Sequence, residues 1–196
     1  DAVWIVLEHC GTHSIRDYVW RKPTTEEPEL RYFMQQVVEG HVELHKVGIY
    51  HMDVKMANIL IDDNLTVKLI DYGLSHRYRI RGKGKRGAAG YFTYEMALGL
   101  EYTPRLVDPW VDAVVMYRSM YHKAFFANEF NDQYIQGVKT EKVPFLKNIR
   151  VSDEFKDLLS KALVSEGRRI TIQQFLEHPW MKGPIKIPEP LPKSSS

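Results

Sequence analysis

The segment between Asn58 and Asp71 constrains the fold of this chain most strongly, because it predicts a short β-hairpin. Two apolar, β-branched runs, "NILI" and "TVKLI", are separated by the turn-forming letters "DDNL". A hairpin brings its two ends together, so Asn58 before the first strand and Asp71 after the second should lie side by side. Asp53 and Lys55 precede Asn58 in the stretch "HMDVKMAN". The sequence therefore predicts a cluster of polar side chains at one end of the hairpin.

This cluster has two interpretations when its residues are considered alone. Asp53 and Asn58 are common turn formers, and Lys55 would then be a solvated cation between a helix and a hairpin. In the second interpretation the loop is catalytic, since two oxygen ligands that converge beside a third acidic group suit Mg²⁺. The spacing favours the second, because turn formation alone does not require Asn58 and Asp71 to meet.

The first half of the chain predicts one strand and one long helix before the hairpin. The apolar run "AVWIVLEHC", from Ala2 to Cys10, is typical of a buried strand. Apolar residues then recur at helical spacing after Thr24, which together with Glu27 resembles a capping box. Gly48 is expected to end this helix.

The second half predicts further helices. One begins at Asp108, which can act as its cap, with Pro109 in the first turn. Three more are expected at 129–138, 152–164 and 171–178. Ser152 would cap the second of these, and Pro179 would end the third. The predicted fold class is mainly α, a helix bundle that carries a small catalytic β-hairpin.

The composition narrows the class of protein. A chain of 196 residues is long enough for one domain, or one large lobe, with a real core. The net charge of +2 gives no reason to expect nucleic-acid binding. No apolar run approaches the ~20 residues that a membrane span needs. The single cysteine, Cys10, cannot form an internal disulfide, which favours an intracellular setting.

The two ends of the chain carry separate expectations. The chain opens on "DAVWIVL" rather than on a methionine, which we interpret as the middle of a longer protein. Residues 183–196 contain four prolines and three serines and are expected to form an extended or disordered tail. Residues 1–182 would then form the folded unit.

Several motifs, in this order, resemble the eukaryotic protein kinase catalytic domain. The catalytic-loop signature H-R-D-L-x-x-x-N is matched by "HMDVKMAN", from His51 to Asn58, and D-F-G by "DYG" at Asp71. Downstream, "GAAGYFTYE", "VDPWVDAV" and "GRRIT" are similar to three later kinase motifs. The likeness covers residues 2 to about 182. In local texture it is nearest to Ser/Thr kinases of the calmodulin-dependent, checkpoint and Polo-like kinds.

The resemblance implies a fold and a set of catalytic roles. The fold would be the C-terminal lobe of a kinase, including its hinge. Asp53 would accept the proton of the substrate hydroxyl, and Lys55 would place a positive charge against the transferring phosphate. Asn58 and Asp71 would hold Mg²⁺ against the phosphates of ATP.

The resemblance also implies residues for the adenine end of the ATP site. "LEHC" would be the hinge, where the backbone groups of Glu8 and Cys10 meet the edge of the base. Leu60 would form the floor of the pocket, and Leu7 would lie behind it. For both leucines, plain core packing is an equal alternative.

Four residues are expected to support the site rather than to react. His51 and Asp108 occupy the family's structural positions in the catalytic loop and at the start of the long second helix. Glu95 and Arg169 occupy the positions that family members pair, so a largely buried ion pair between them is implied.

The chain departs from the family pattern at several positions. Met52 replaces an arginine, so it offers no donor and no charge to a phosphate on the activation segment. Ala88 replaces a threonine, and Thr93-Tyr94 replaces an Ala-Pro pair. The family's Gly-rich phosphate loop, strand lysine and partner glutamate would all precede Asp1, in an N-terminal lobe. Without that lobe the chain alone is expected to be almost inactive.

A basic loop lies between the predicted hairpin and the later helices. Six cations fall between Arg77 and Arg86 with no acid among them. They form either a solvated loop or a surface for acidic substrates or a bound phosphate. The letters "GKGKRG" formally match G-x-G-x-x-G, but a nucleotide-binding loop follows a strand or joins two strands, whereas these letters lie amid charge. The glycines are better explained as making the loop supple.

Two functions of different classes follow. The first is a Ser/Thr protein kinase that uses ATP and Mg²⁺ to phosphorylate a protein substrate, which the basic loop allows to be acidic. The alternative is a pseudokinase-like scaffold without phosphoryl transfer. The four residues of the polar cluster favour the enzyme, whereas Met52, Ala88 and Tyr94 favour the scaffold. Neither a membrane nor a nucleic-acid partner is expected.

Overall fold

A computed structural model of the chain describes residues 4–11, 13–77, 81–125 and 132–191. The strands are β1 (His13–Ser14), β2 (Ile49–Tyr50), β3 (Ile59–Ile61), β4 (Val67–Leu69) and β5 (His76–Arg77). The helices are α1 (Ile15–Trp20), α2 (Glu27–Lys46), α3 (Tyr94–Ala97), α4 (Val107–Tyr121), α5 (Asp132–Lys139), α6 (Asp153–Ala162) and α7 (Ile172–Glu177). Short 3₁₀ helices lie at Met56–Asn58, Tyr72–Leu74, Pro104–Leu106 and Pro179–Lys182.

The chain is mainly α, as predicted, and its two longest helices form the centre of the body. α4 is apolar on nearly all sides, and every one of its residues except Arg118 is buried. α2 packs against α4 and α7 through an apolar face at helical spacing. This face contains Leu30, Phe33, Met34, Val37 and Val38. The periodicity of the sequence was sufficient to identify it.

Two small sheets flank the loop that carries Asp53 and Lys55. β3 and β4 form the predicted antiparallel hairpin, with Ile59 opposite Leu69, and β1 pairs with the other edge of β3. β2 and β5 form a separate antiparallel pair. Gln36 of α2 anchors the hairpin, because its amide oxygen accepts the Val67 N–H at 3.0 Å. The loop between β2 and β3 is therefore fixed at both ends.

The strand predicted for Ala2 to Cys10 is wrong where the structure describes it. Residues 4–10 have no regular secondary structure, and the side chains of Trp4, Val6 and Leu7 are 89%, 94% and 81% exposed. A strand needs a neighbour to satisfy its backbone groups, and among the described residues none pairs with this segment. Pairing begins only at His13.

Two predicted helix caps are also wrong, because longer-range partners take the side chains concerned. α2 begins after Glu26, and the Thr24–Glu27 capping box is not formed. Glu27 instead accepts hydrogen bonds from the Ser152 hydroxyl at 2.6 Å and the Trp180 indole N–H at 2.7 Å. Asp108 does not cap α4 either, since it lies inside the first turn and its carboxylate faces the catalytic loop.

The late helices follow the prediction closely. Ser152 caps α6, and its hydroxyl accepts the Phe155 N–H at 3.1 Å. The helix predicted at 129–138 is α5, and residues 129–131 lie outside the described residues. α7 begins at a capping box between Thr171 and Gln174. Beyond it, residues 183–191 have no regular secondary structure and lie on the body, where Arg31 of α2 donates to the Pro184 carbonyl.

A buried ion pair ties the segment before α4 to the late helices. Arg169 Nη2 lies 2.8 Å from Glu95 Oε2, and both side chains are almost fully buried. Arg169 also donates to the carbonyls of Leu106 and Val164, at 2.9 Å each, and its guanidinium lies 4.8 Å from the ring centre of Trp110. These donors and the ring compensate for the cost of removing the charge from water.

Replacing Arg169 by methionine is therefore expected to destabilise the fold by about 3–5 kcal/mol, because the Glu95 carboxylate would remain buried without its partner. Arg168→Met is the matched control, since its side chain is 64% exposed and pairs with Glu141 at the surface. That variant should cost less than about 1 kcal/mol. Urea unfolding of both variants makes the comparison. Equal losses of unfolding free energy would contradict the assignment.

Candidate active site

The loop between β2 and β3, which carries the predicted catalytic residues, is held by one buried carboxylate, that of Asp108. Asp108 Oδ2 accepts the backbone N–H of His51, and Oδ1 accepts that of Met52, both at 3.0 Å. His45 of α2 donates to Oδ2 from the other side at 2.7 Å. Burial raises the pKa of Asp108, but the His45 hydrogen bond and the nearby His41 outweigh burial and lower the pKa to about 2. The carboxylate is therefore ionised, and both of its oxygens accept hydrogen bonds.

Two histidines close to Asp108 differ in their charge. Burial lowers the pKa of His41, but the Asp112 carboxylate, 2.8 Å from Nδ1, outweighs burial and raises it to about 9. Burial and the charge of His41 lower the pKa of His51. The neutral His51 ring donates from Nε2 to the Ile70 carbonyl at 3.1 Å. This bond connects the catalytic loop to the far end of the hairpin.

The four residues of the predicted polar cluster lie together. Asn58 Nδ2 donates to the Asp53 carbonyl at 2.9 Å and to Asp71 Oδ2 at 3.4 Å. Lys55 Nζ lies 3.2 Å from Asp53 Oδ2. The other oxygen of Asp53, Oδ1, is buried and has no hydrogen-bond partner among the described residues. One end of the hairpin therefore presents an unpaired carboxylate oxygen beside a cation.

The oxygen atoms at this end of the hairpin fit a magnesium ion that is also bound by phosphates. The amide nitrogen of Asn58 donates hydrogen bonds within the protein. Its side-chain carbonyl oxygen is therefore available as a ligand beside the exposed Asp71 carboxylate. No cluster of three or more His, Cys, Asp or Glu side chains that could hold a metal occurs in the described part of the chain. Mg²⁺ commonly takes one or two protein oxygens and completes its shell with water and substrate phosphates. The side-chain oxygens of Asn58 and Asp71 would fit this requirement.

Two residues at the site have a left-handed backbone, which is unusual for a methionine and better tolerated by an aspartate. Met52 has φ 69° and Asp71 has φ 67°. Such conformations cost on the order of 1–3 kcal/mol each, and they persist where surrounding contacts enforce them. For Met52, the contact that enforces this conformation is the hydrogen bond from its N–H to Asp108. The resulting turn of the backbone directs the next residue, Asp53, into the site.

The predicted adenine end is less completely formed. Gly11 lies so close to the end of β3 that an added Cβ would be 2.8 Å from the Ile61 carbonyl oxygen. Gly11 directly follows the predicted hinge, and Leu60 is half-buried on β3, one residue before Ile61. Glu8 forms an exposed ion pair with Lys68 at 3.2 Å. Leu7 is exposed, so plain core packing is not its role.

In the described part of the basic loop, Arg81 is paired with acidic side chains. Arg81 pairs with Glu166 at 2.6 Å and with Glu101 at 3.4 Å, and residues 78–80 lie outside the described residues. Gly82, the first glycine of "GKGKRG", forms a β-bridge with Tyr102, and no helix begins there. The segment therefore lacks the strand–turn–helix geometry of a phosphate loop.

Met52 is 2% exposed and packs in the apolar core.

Sequence reasoning missed the His41–Asp112 pair and the surroundings of Arg118. His41 and Asp112 lie at the α2–α4 contact, and a polar residue on an otherwise apolar face was the available signal in both helices. Arg118, the single non-buried residue of α4, lies beside the catalytic loop in a pocket that also includes Lys55. Its signal was a charge in a helix that is otherwise almost entirely apolar.

The chain was compared with known proteins. The protein kinase domain family model matches residues 1–181. The probable serine/threonine-protein kinase CCRP1 of Zea mays is 28% identical over all of this chain and 32% of its own length. The NUAK family SNF1-like kinase 1 of Mus musculus is 28% identical over 92% of the chain and 28% of its own length. The carbon catabolite-derepressing protein kinase of Secale cereale is 29% identical over 92% and 36%.

The chain belongs to the protein kinase domain family, and its fold is that of the C-terminal lobe of the eukaryotic catalytic domain. It spans about a third of the length of the curated relatives that it matches. Among the described residues, no helix is both long and apolar enough to cross a bilayer.

The His41–Asp112 pair predicts a specific dependence of stability on pH. The folded-state pKa of His41 lies above its unfolded value of about 6.5. The pair's contribution is therefore complete below pH 6.5 and is lost as the pH rises through about 9. The loss amounts to at most about 3 kcal/mol. Asp112→Asn should remove it.

Urea unfolding between pH 6 and pH 10 checks this expectation. The unfolding free energy of the unmodified chain should fall more steeply over this range than that of Asp112→Asn. Glu177→Gln, which removes an exposed carboxylate on α7, should follow the unmodified chain. Parallel curves for all three proteins would show that His41 does not carry the raised pKa.

Proposed function

We propose that this chain is the C-terminal lobe of a serine/threonine protein kinase that transfers a phosphoryl group from ATP to protein hydroxyls. The observation that carries the proposal is the buried Asp53 Oδ1, which lies unpartnered among the described residues beside Lys55, Asn58 and Asp71. A buried carboxylate oxygen costs stability unless a donor supplies a hydrogen bond to it. A substrate hydroxyl supplies that partner.

The roles follow from which atoms remain available. Lys55 occupies Asp53 Oδ2, so Oδ1 is the atom that orients the substrate hydroxyl. Asp53 Oδ1 receives the hydroxyl proton as the hydroxyl oxygen attacks the terminal phosphorus of ATP. The bond between that phosphorus and ADP breaks in the same displacement. Lys55, 30% exposed, places its charge next to the transferring group. Asn58 and Asp71 would hold Mg²⁺, which when bound neutralises the phosphate charge.

The remaining parts of the ATP site are assigned on the same basis. Glu8 and Cys10 offer hinge backbone groups to the adenine, and Leu60 and Leu7 offer apolar surface to it. The exposure of Leu7 is what a residue would have before another lobe closes over it. The unit comprises residues 1–182, with residues 183–196 as a tail, and the single cysteine suits an intracellular setting. The Gly-rich loop and strand lysine belong to an N-terminal lobe.

Asp53→Asn and Asp71→Asn, each made in the complete protein that contains this chain, are expected to lower phosphoryl transfer by at least 10²-fold, because one removes the proton acceptor and the other a metal ligand. Asp63→Asn is the matched control, since it changes an exposed carboxylate in the turn of the same hairpin. Radiolabel transfer to protein substrates and thermal unfolding are measured together. The 196-residue chain alone should be almost inactive.

If the unmodified complete protein transfers no phosphate, the scaffold function replaces the enzyme. If Asp53→Asn and Asp71→Asn keep normal transfer, or lose it only together with folding, the roles assigned to these two residues are wrong.

Activity of the complete protein is expected not to require a phosphate on the activation segment. Met52 is buried in apolar surroundings and has no group that could bind a phosphate. Thr93 is fully buried and its hydroxyl caps α3, so it is unsuited to modification. Ser75 is the more accessible acceptor. Phosphatase treatment, checked by mass spectrometry, should change the transfer rate by less than about twofold.

A mock-treated sample serves as the control for this measurement. A large loss of activity that rephosphorylation restores, and that a Ser75→Ala or Thr93→Val variant shows without treatment, would contradict the expectation.

A further inference from the structure

The contact between the two central helices, α2 and α4, contains a charged pair that the proposed reaction does not use. His41 Nδ1 lies 2.8 Å from Asp112 Oδ2, and both side chains are fully buried. The second polar atom of each side chain, His41 Nε2 and Asp112 Oδ1, has no hydrogen-bond partner among the described residues. Replacing a buried ion pair by apolar side chains of similar volume is often neutral or stabilising. Stability alone therefore does not explain why a charged pair is present.

The pair lies beside the histidine of the catalytic loop. The centre of the His41 ring is 6.1 Å from that of His51, and the two rings meet edge to face at 83°. Burial lowers the pKa of His41, but the Asp112 carboxylate outweighs burial and raises the pKa to about 9, so the ring is a cation at neutral pH. Two positive charges at this distance in a buried site repel each other strongly. His41 therefore opposes protonation of His51.

The hydrogen bonds of His51 require its neutral form. Nε2 lies 3.1 Å from the Ile70 carbonyl oxygen, which can only accept, so Nε2 carries a proton. Nδ1 accepts the backbone N–H of Asp53 at 3.4 Å, so Nδ1 carries none. A second proton on the ring would occupy Nδ1 and point at the Asp53 N–H. The hydrogen bond between the Asp53 backbone and His51 would then be lost.

The groups around the two rings act in both directions. Burial and the charge of His41 lower the pKa of His51, and they outweigh the Asp108 carboxylate, which attracts a proton to the ring. Burial raises the pKa of Tyr72, whose ring centre is 4.7 Å from that of His51, so Tyr72 is uncharged. The titratable groups around the ring pair are His45 of α2, Asp108 and Asp112 of α4, Tyr72 after the hairpin, and Asp53 of the loop itself.

A simpler role for the pair is to join α2 to α4. That role requires a contact but no charge, because apolar side chains of both helices already pack in one core. A purely structural pair would also leave the protonation of His51 unchanged. The pH dependence of the site therefore distinguishes the two roles.

We propose that His41 is a positioning residue: its charge, which Asp112 maintains, keeps His51 neutral, and neutral His51 holds the backbone of Asp53 in place. The inference rests on the proposed kinase function, to which it adds a residue that acts through another residue and touches no substrate. As the pH falls, the pair delays the protonation of His51 that would release Asp53. Because the pKa of His51 is lowered, this geometry persists below the usual histidine value of about 6.5.

The test compares the pH dependence of phosphoryl transfer by the complete protein with that of two variants. Asp112→Asn removes the anion that keeps His41 charged. The double variant His41→Leu/Asp112→Leu replaces the pair by apolar side chains and leaves no buried charge without a partner. Removing a charge at this distance moves the protonation midpoint of a buried group by roughly one pH unit. In both variants the ratio of the transfer rate at pH 6 to that at pH 7.5 should therefore be about threefold lower than in the unmodified protein.

Asp157→Asn is the matched control for these variants. It breaks a second His–Asp pair, in which His178 Nε2 lies 2.9 Å from Asp157 Oδ2, at the start of the Pro179–Lys182 helix and not at the α2–α4 contact. Its rate ratio should equal that of the unmodified protein. Urea unfolding at both pH values checks that each protein is folded. Equal losses of rate at both pH values, or unchanged ratios in both pair variants, would overturn the proposal.

A spectroscopic titration separates this inference from the proposed function. In the complete protein with isotope-labelled histidine, the nuclear magnetic resonance shifts of the His51 ring nitrogens report its protonation and need no phosphoryl transfer. His51→Gln assigns the signal by its absence. We expect His51 to gain its proton at a higher pH in both pair variants than in the unmodified protein or Asp157→Asn.

The two measurements together give distinguishable failures. A protein that transfers no phosphate but shows this difference in His51 would disprove the kinase function and keep the role of His41. Phosphoryl transfer with the same His51 midpoint in all four proteins would keep the kinase function and disprove the role of His41.

Discussion

The carboxylate of Asp108 is the contact on which the candidate active site depends. It lies in the first turn of α4, fully buried, and accepts the backbone N–H groups of two successive catalytic-loop residues. One of these, Met52, has a left-handed backbone that a methionine adopts only when it is held. A buried ionised group is tolerated here because donors surround it, including His45. Without this contact the loop would lose the turn that directs Asp53 into the site.

The central helix α4 connects this anchor to the rest of the lobe. One turn after Asp108, Asp112 pairs with His41 of α2, and Trp110 provides the ring against which Arg169 packs. Arg169 holds Glu95, so the segment before α4 is fixed to the same helix. One helix therefore sets the relative positions of the loop that carries Asp53 and the segment that carries Glu95.

Much of this arrangement was predictable because it depends on interactions between residues close in sequence. The apolar spacing of α2 and the Ser152 cap of α6 are local patterns, and both appear as expected. The hairpin is local as well, and its geometry alone brings Asn58 and Asp71 together. The order of motifs indicated the kinase family, to which the chain belongs.

Tertiary structure decided the features whose partners are distant in sequence. Glu27 forms no local capping box and instead accepts hydrogen bonds from Ser152 and Trp180, which are 125 and 153 residues away. Asp108 does not cap α4 and instead accepts the backbone N–H of His51. The apolar run before Cys10 has β-propensity, but a strand forms only where a neighbouring strand is available. The sequence by itself determined which helices and which polar cluster this chain can form. Only tertiary structure determined which buried charges meet, because desolvation makes each of them depend on a partner that no local pattern specifies.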